Sequence, residues 1–67
     1  MTTKEIKSYY YFTGENIDGD LIEGSTSVAM TDENMRDYAR AILREYGGGH
    51  LDVWYSETDE FAFDMEV

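Results

Sequence analysis

Apolar and polar residues alternate along two stretches of this chain, recur at helical spacing along one, and leave two further stretches of strand-like composition near the start. Ile6 to Thr13 is rich in aromatic and β-branched residues and reads as a strand, and Leu21 to Met30 reads as a second. Met35, Tyr38, Ala39, Ile42, Leu43 and Tyr46 then form one apolar helical stripe. Leu51, Val53 and Tyr55 alternate with Asp52, Trp54 and Ser56 in a third strand. Phe61, Phe63 and Met65 alternate with Ala62, Asp64 and Glu66 in a fourth, and Ser56 to Glu60 is the turn between them. The order ββαββ predicts an α+β fold, a four-stranded antiparallel sheet with the helix packed on one face, and residues 1–67 form a single domain. Strand order 2-1-3-4 keeps every neighbour antiparallel.

The helix has clear ends. Thr31 is a suitable N-cap, and Asp32 and Glu33 follow in the first turn, where the helix dipole favours acids. Gly47, Gly48 and Gly49 stop it, the first in the left-handed C-terminal conformation. The triplet follows a helix rather than opening one, so it reads as a stop with some slack and not as a phosphate loop.

The first hairpin allows two registers. A two-residue Asp18-Gly19 turn would put Tyr9 and Tyr11 on one face with Val28 and Met30. A three-residue loop, with a type I turn from Asn16 and Gly19 left-handed, reverses the parity. Asn, Asp and Gly at the first, third and fourth turn positions favour the longer loop. It sets Tyr10 opposite Thr26, Phe12 opposite Gly24, Ser8 opposite Val28 and Ile6 opposite Met30. Ile6, Tyr10, Phe12, Ile22, Val28 and Met30 then share the inner face. Lys7, Tyr9, Tyr11, Thr13, Glu23, Ser25 and Ser27 share the outer one.

Charge changes the picture next. Fifteen Asp and Glu stand against five Lys and Arg, for a net charge of −10. Residues Asp32 to Tyr46 hold four of these acids and three bases, so the remaining eleven acids face only Lys4 and Lys7. Two runs carry no base: Glu15, Asp18, Asp20, Glu23, and Asp52, Glu57, Asp59, Glu60, Asp64, Glu66. Such a surface projects a negative field and suits a basic partner, and it argues against nucleic acid and anionic membrane as direct ligands. One Trp, six Tyr, three Phe and 42% hydrophobic residues, with no Pro, argue against disorder. The absence of Cys fits a reducing cytoplasm. No apolar run approaches the roughly 20 residues of a bilayer span, and Met1 to Glu5 lacks the apolar core of a signal peptide, so the chain is expected to be soluble and to stay in the cytoplasm where it is made.

Candidate chemistry is sparse. Asn16, Asp18 and Asp20 alternate like some calcium ligands, but the glycine is misplaced for an EF-hand loop and no Glu stands at the twelfth position; turn chemistry is the better account. His50 is the only histidine, no G-x-S-x-G nucleophile motif accompanies it, and it reads as exposed. No enzyme, cofactor or metal is expected. Arg36, Arg40 and Arg44 line one helix face, with Asp32, Glu33 and Asp37 placed three or four residues earlier to neutralise them.

The sheet face away from the helix carries the functional expectation. Tyr9, Tyr11 and Trp54 form one exposed aromatic patch if strands 1 and 3 are adjacent. Pairing Val53 with Phe63 sets Asp52 opposite Asp64, a like-charge pair that weakens a sheet. With Glu23 and Glu66 nearby, aromatics ringed by acids suit an anchor-and-rim protein interface; the other account is strand propensity and shielding of the open face. The acidic turns, Asp18 and Asp20 in one and Asp59 and Glu60 in the other, are the alternative contact points.

With its short length, lack of Cys, compact α/β order and acidic runs Glu15–Glu23 and Asp52–Glu66, the chain resembles the small acidic anti-CRISPR proteins encoded by phages and mobile elements, inhibitors of type I systems, type I-C included. The resemblance spans the whole chain and rests on no shared motif, so it carries over no functional residue. It implies inhibition by blocking, with the protein acting as a DNA mimic on the DNA-binding site of a CRISPR effector subunit. Uracil-DNA glycosylase inhibitors and other phage DNA mimics share this acidity. The alternative is an immunity protein or antitoxin-like module for a basic toxin or nuclease.

Overall fold

A computed structural model describes residues 6–67; the reading of Met1 to Glu5 lies outside the described residues. The elements are β1 (Tyr10–Asn16), β2 (Leu21–Ser25), α1 (Asp32–Glu45), β3 (Gly49–Tyr55) and β4 (Phe61–Glu66). They form one antiparallel sheet of order β2-β1-β3-β4 with the helix on one face, the α+β arrangement that the alternation predicts. No helix among the described residues is long and apolar enough to cross a membrane.

The β1–β2 loop takes the three-residue register. Gly19 N–H donates to the Asn16 carbonyl (3.0 Å), Asn16 N–H to the Asp20 carbonyl (3.0 Å), and Gly19 has φ +86°. The Asn16 side chain completes the turn, because its Oδ1 accepts from the N–H groups of Asp18 and Asp20, both at 2.9 Å. This is the turn chemistry that an Asx residue supplies. Phe12 lies opposite Gly24, as the register requires.

Beyond Tyr10 the expected pairing fails. Tyr10 N–H donates to Thr26 Oγ1 (3.0 Å), so a side chain replaces the next ladder carbonyl and β2 ends at Ser25. Pairing resumes between Ser8 and Met30, not Ser8 and Val28, so Ile6 does not oppose Met30. The two additional residues bulge outward. Val28 is consequently 59% exposed and Ile6 83% exposed, so neither joins the inner face.

Thr31 caps the helix, its Oγ1 accepting from Asn34 N–H at 3.2 Å. At the other end Gly47 N–H donates to the Arg44 carbonyl and Gly48 N–H to the Leu43 carbonyl, a Schellman pattern with Gly47 at φ +83°. The rest of the triplet is not slack. Gly49 exchanges backbone hydrogen bonds with Val67, and a side chain at Gly49 would collide with the main chain of Glu15 and Asn16.

Met35, Ala39 and Leu43 pack from the helix onto Tyr10, Phe12, Ile22, Leu51, Val53 and Phe63. These nine residues are the buried core, with Met30, Ile42, Tyr55, Ala62 and Met65 around it. Removing one such Leu side chain to Ala costs about 2–5 kcal/mol, a large share of the stability of so small a domain. Arg36 does not pair with Asp32; its guanidinium lies 4.4 Å from the Phe63 ring centroid and shields the core edge. Arg40 keeps the expected partner, Asp37, at 3.2 Å.

Asp32 instead ties the helix to the sheet. Tyr10 Oη donates to its Oδ1 at 2.5 Å, and Tyr55 Oη lies 3.0 Å from both its oxygens. The two tyrosine rings pack at 5.3 Å. Burial and the Asp32 carboxylate together push the Tyr10 hydroxyl well above the ordinary tyrosine range, and the same causes raise Tyr55 less.

The β3–β4 turn corrects one more expectation. Asp59 takes φ +59° and its N–H donates to the Tyr55 carbonyl (2.9 Å), while Tyr55 N–H donates to Glu60 (2.8 Å). Trp54 then pairs with Phe61 and Val53 with Phe63, so Ala62 is the extra residue of a β-bulge. The bulge turns Phe61 to the outer face, where it is half exposed, rather than inward with Phe63.

Candidate partner-binding face

Register alone arranges the outer face in three rows that run across the strands. The first is Ser25, Tyr11, Trp54, Phe61; the second is Glu23, Thr13, Asp52, Asp64; the third is Leu21, Glu15, His50, Glu66. Neighbouring strands lie about 4.8 Å apart, so each row is a line of closely spaced side chains.

The first row is aromatic. The Tyr11 and Trp54 rings are near parallel (7°) with centroids 6.3 Å apart, and Phe61 meets Trp54 edge-on at 5.2 Å. Tyr11 Oη donates to Asp59 Oδ1 at 3.1 Å, which joins the acidic β3–β4 turn to this row. Partial burial and that carboxylate raise the Tyr11 hydroxyl above its ordinary value. Glu60 neighbours Asp59 and is exposed. Tyr9 lies two residues before Tyr11, is 43% exposed, and accepts the Ser56 N–H through its carbonyl.

The other two rows are acidic. Asp52 lies directly opposite Asp64, as the pairing of Val53 with Phe63 requires. Glu23 and Glu66 complete the expected set, one on each edge strand. Asp18 and Asp20 sit in the β1–β2 loop beyond the acidic end, far from the aromatic row in register. Their backbone N–H groups hold the turn and their carboxylates are exposed.

His50, Glu15 and Phe61 are the additions. His50 is not simply exposed beside a glycine run. Its Nε2 lies 3.0 Å from Asp52 Oδ1 and 3.8 Å from Asp64 Oδ2, and its Nδ1 lies 3.7 Å from Glu66 Oε1. The hydrogen bond to Asp52 raises its pKa, partial burial opposes this, and the charges of Asp52, Asp64 and Glu66 reinforce the rise. One protonated imidazole can thus offset part of the repulsion that the opposed aspartates create. The alternation of His50, Asp52 and Trp54 carried this signal, had the strand been begun at Gly49.

Chemically, the face offers flat aromatic surface at one end and five carboxylates with one imidazole at the other. That is the composition of a docking surface with anchors and a charged margin. Comparison with family models, with characterised proteins and with solved structures gives no match for this chain.

Proposed function

We propose that this protein is a non-enzymatic inhibitor that sets its outer sheet face against a basic, nucleic-acid-binding protein surface. Tyr11, Trp54 and Phe61 anchor the contact, and Glu15, Glu23, Asp52, Asp64 and Glu66 stand where phosphates would. The observation that carries this reading is the placement of an aromatic row beside two acidic rows on one side of a sheet whose other side is covered by the helix. Monomers seldom keep such a contiguous face bare, and opposed like charges weaken the sheet that bears them. Within this reading, the resemblance to small acidic anti-CRISPR proteins makes a type I effector complex in the bacterial cytoplasm the target, with its DNA-binding site covered by mimicry.

The test is fluorescence anisotropy of labelled target DNA with a purified type I-C effector complex. Increasing amounts of the protein should displace the DNA, and a variant carrying Trp54→Ala should need far more. An effector whose DNA affinity is unchanged at large excess of inhibitor would remove that target. Neutralisation of a basic nuclease toxin in the same format would support the immunity-protein reading instead.

A further inference from the structure

The acidic end of the outer face contains a set of donors that charge alone does not explain. His50 and Asp52 alternate on β3, so both point to the outer face, and Asp64 comes from the paired β4. One donor atom from each lies within 4.8 Å of the others. Around the imidazole Nε2 the separations are 3.0 Å to Asp52 and 3.8 Å to Asp64.

These distances have a chemical meaning. An ion bound tetrahedrally at about 2.0–2.1 Å holds its ligand atoms about 3.3 Å apart. The two separations from Nε2 bracket that value and the two carboxylates lie within 4.8 Å of each other, so modest rotations of these partly exposed side chains would bring all three donors onto one ion. The fourth carboxylate has a separate place: Glu66 faces the other ring nitrogen, Nδ1, at 3.7 Å. That is too long for a hydrogen bond, but a small rotation of the exposed Glu66 would let it accept the Nδ1 proton, the contact that fixes the orientation and tautomer of a metal-ligating histidine. Beside the three donors lies a shallow depression lined by Thr13 and Glu15 from β1, which leaves room for water or a further ligand.

We propose that His50, Asp52 and Asp64 bind one divalent transition-metal ion of the zinc class, with Glu66 orienting the imidazole. The imidazole decides the class. Calcium and magnesium prefer six or more oxygen ligands, whereas one nitrogen with two carboxylates suits zinc and its neighbours. The donors stand on two adjacent strands, so the ladder that builds the fold also sets their spacing. Occupation would cancel two negative charges and relieve the opposition of Asp52 and Asp64. This inference goes beyond the partner-binding reading; it shares Asp52, Asp64 and Glu66 with that face, but its test reads ion binding by the chain alone and stands or falls without the partner.

The experiment is calorimetric titration of the metal-free protein with zinc chloride, paired with NMR of the His50 ring and thermal melting with and without chelator. The expected result is saturable binding of one equivalent, a shift of the His50 ring resonances, and a melting temperature that rises with zinc and falls back with chelator. His50→Gln, at a partly buried position, and Asp64→Asn, at an exposed one, should each weaken binding at least tenfold while circular dichroism stays native. Three results would overturn the proposal: no saturable heat with zinc, unchanged affinity in folded His50→Gln, or equal binding of calcium.

Discussion

Asp52 stands directly across from Asp64 in the β3–β4 ladder, with the His50 Nε2 3.0 Å from the first and 3.8 Å from the second. Directly opposed like charges destabilise a sheet, and because both side chains are largely open to water the cost here is small. The imidazole recovers part of this, and its closer bond is to Asp52. Replacing Asp64 with Asn should therefore leave the His50–Asp52 contact in place and raise stability in metal-free, low-salt buffer by a few tenths of a kcal/mol. Association with a basic partner should slow at the same time. A thermal melt of the metal-free variant that drops below wild type would show that the attraction of Asp64 to His50 outweighs its repulsion of Asp52, against this account.

Salt should act on the whole surface in the same direction. With a net charge of −10, the folded chain repels itself, and moderate ionic strength shortens the range of that repulsion to about 10 Å at 0.1 M. The melting temperature is expected to rise between low and moderate sodium chloride. A steady fall over that range would contradict a self-repelling acidic face.

Trp54 tests the anchor. It sits between Tyr11 and Phe61 on the face away from the core, so Trp54→Ala should fold, losing about 0.5–1.5 kcal/mol for each ring contact broken in addition to what the partial burial of the indole contributes. Binding should weaken by roughly 2 kcal/mol or more, mainly through faster dissociation, because the long-range field is untouched. Surface plasmon resonance separates the two rates. An unchanged off-rate in the folded variant would take the aromatic row out of the contact and point to Asp18 or Asp59 instead.

The Tyr10–Asp32 bond sets an alkaline limit. Burial and the carboxylate raise the Tyr10 hydroxyl above its unfolded value, so the folded state holds that proton more tightly. The resulting stability is fully present below about pH 10, the unfolded tyrosine value, and is lost as pH climbs above it. Urea melts at neutral pH and above pH 10 should show the decline. Tyr10→Phe should cost about 1–2 kcal/mol at neutral pH and flatten the alkaline loss, Tyr55 retaining a smaller share. Equal alkaline slopes in wild type and variant would assign the loss to other groups.

Much of this architecture was legible because local and long-range signals agree. Thr31, the Met35–Ala39–Leu43 stripe and Gly47 mark one helix by three separate means. Asn16 and Gly19 select the loop length, and loop length sets which residues face the core. The failures have two causes: a side chain or turn that replaces a ladder contact, and side-chain partners brought together from distant parts of the chain. Thr26 Oγ1 takes the Tyr10 N–H and throws Val28 outward. The left-handed Asp59 accompanies the bulge that turns Phe61 over. Asp32 lies four residues before Arg36, yet two tyrosines from distant strands claim it. His50 gained its surroundings only when β4 brought Asp64 and Glu66 beside it.

The most direct test of the central claim is retention on three resins bearing the wild type, Trp54→Ala, and the double variant Asp52→Asn, Asp64→Asn. A bacterial lysate from a strain carrying a type I CRISPR system, passed over each, should leave effector subunits on the wild-type resin. Excess duplex DNA should elute them, and both variant resins should hold markedly less. Equal retention on all three resins, or subunits that stay bound through the DNA wash, would contradict an outer face that occupies a DNA-binding surface.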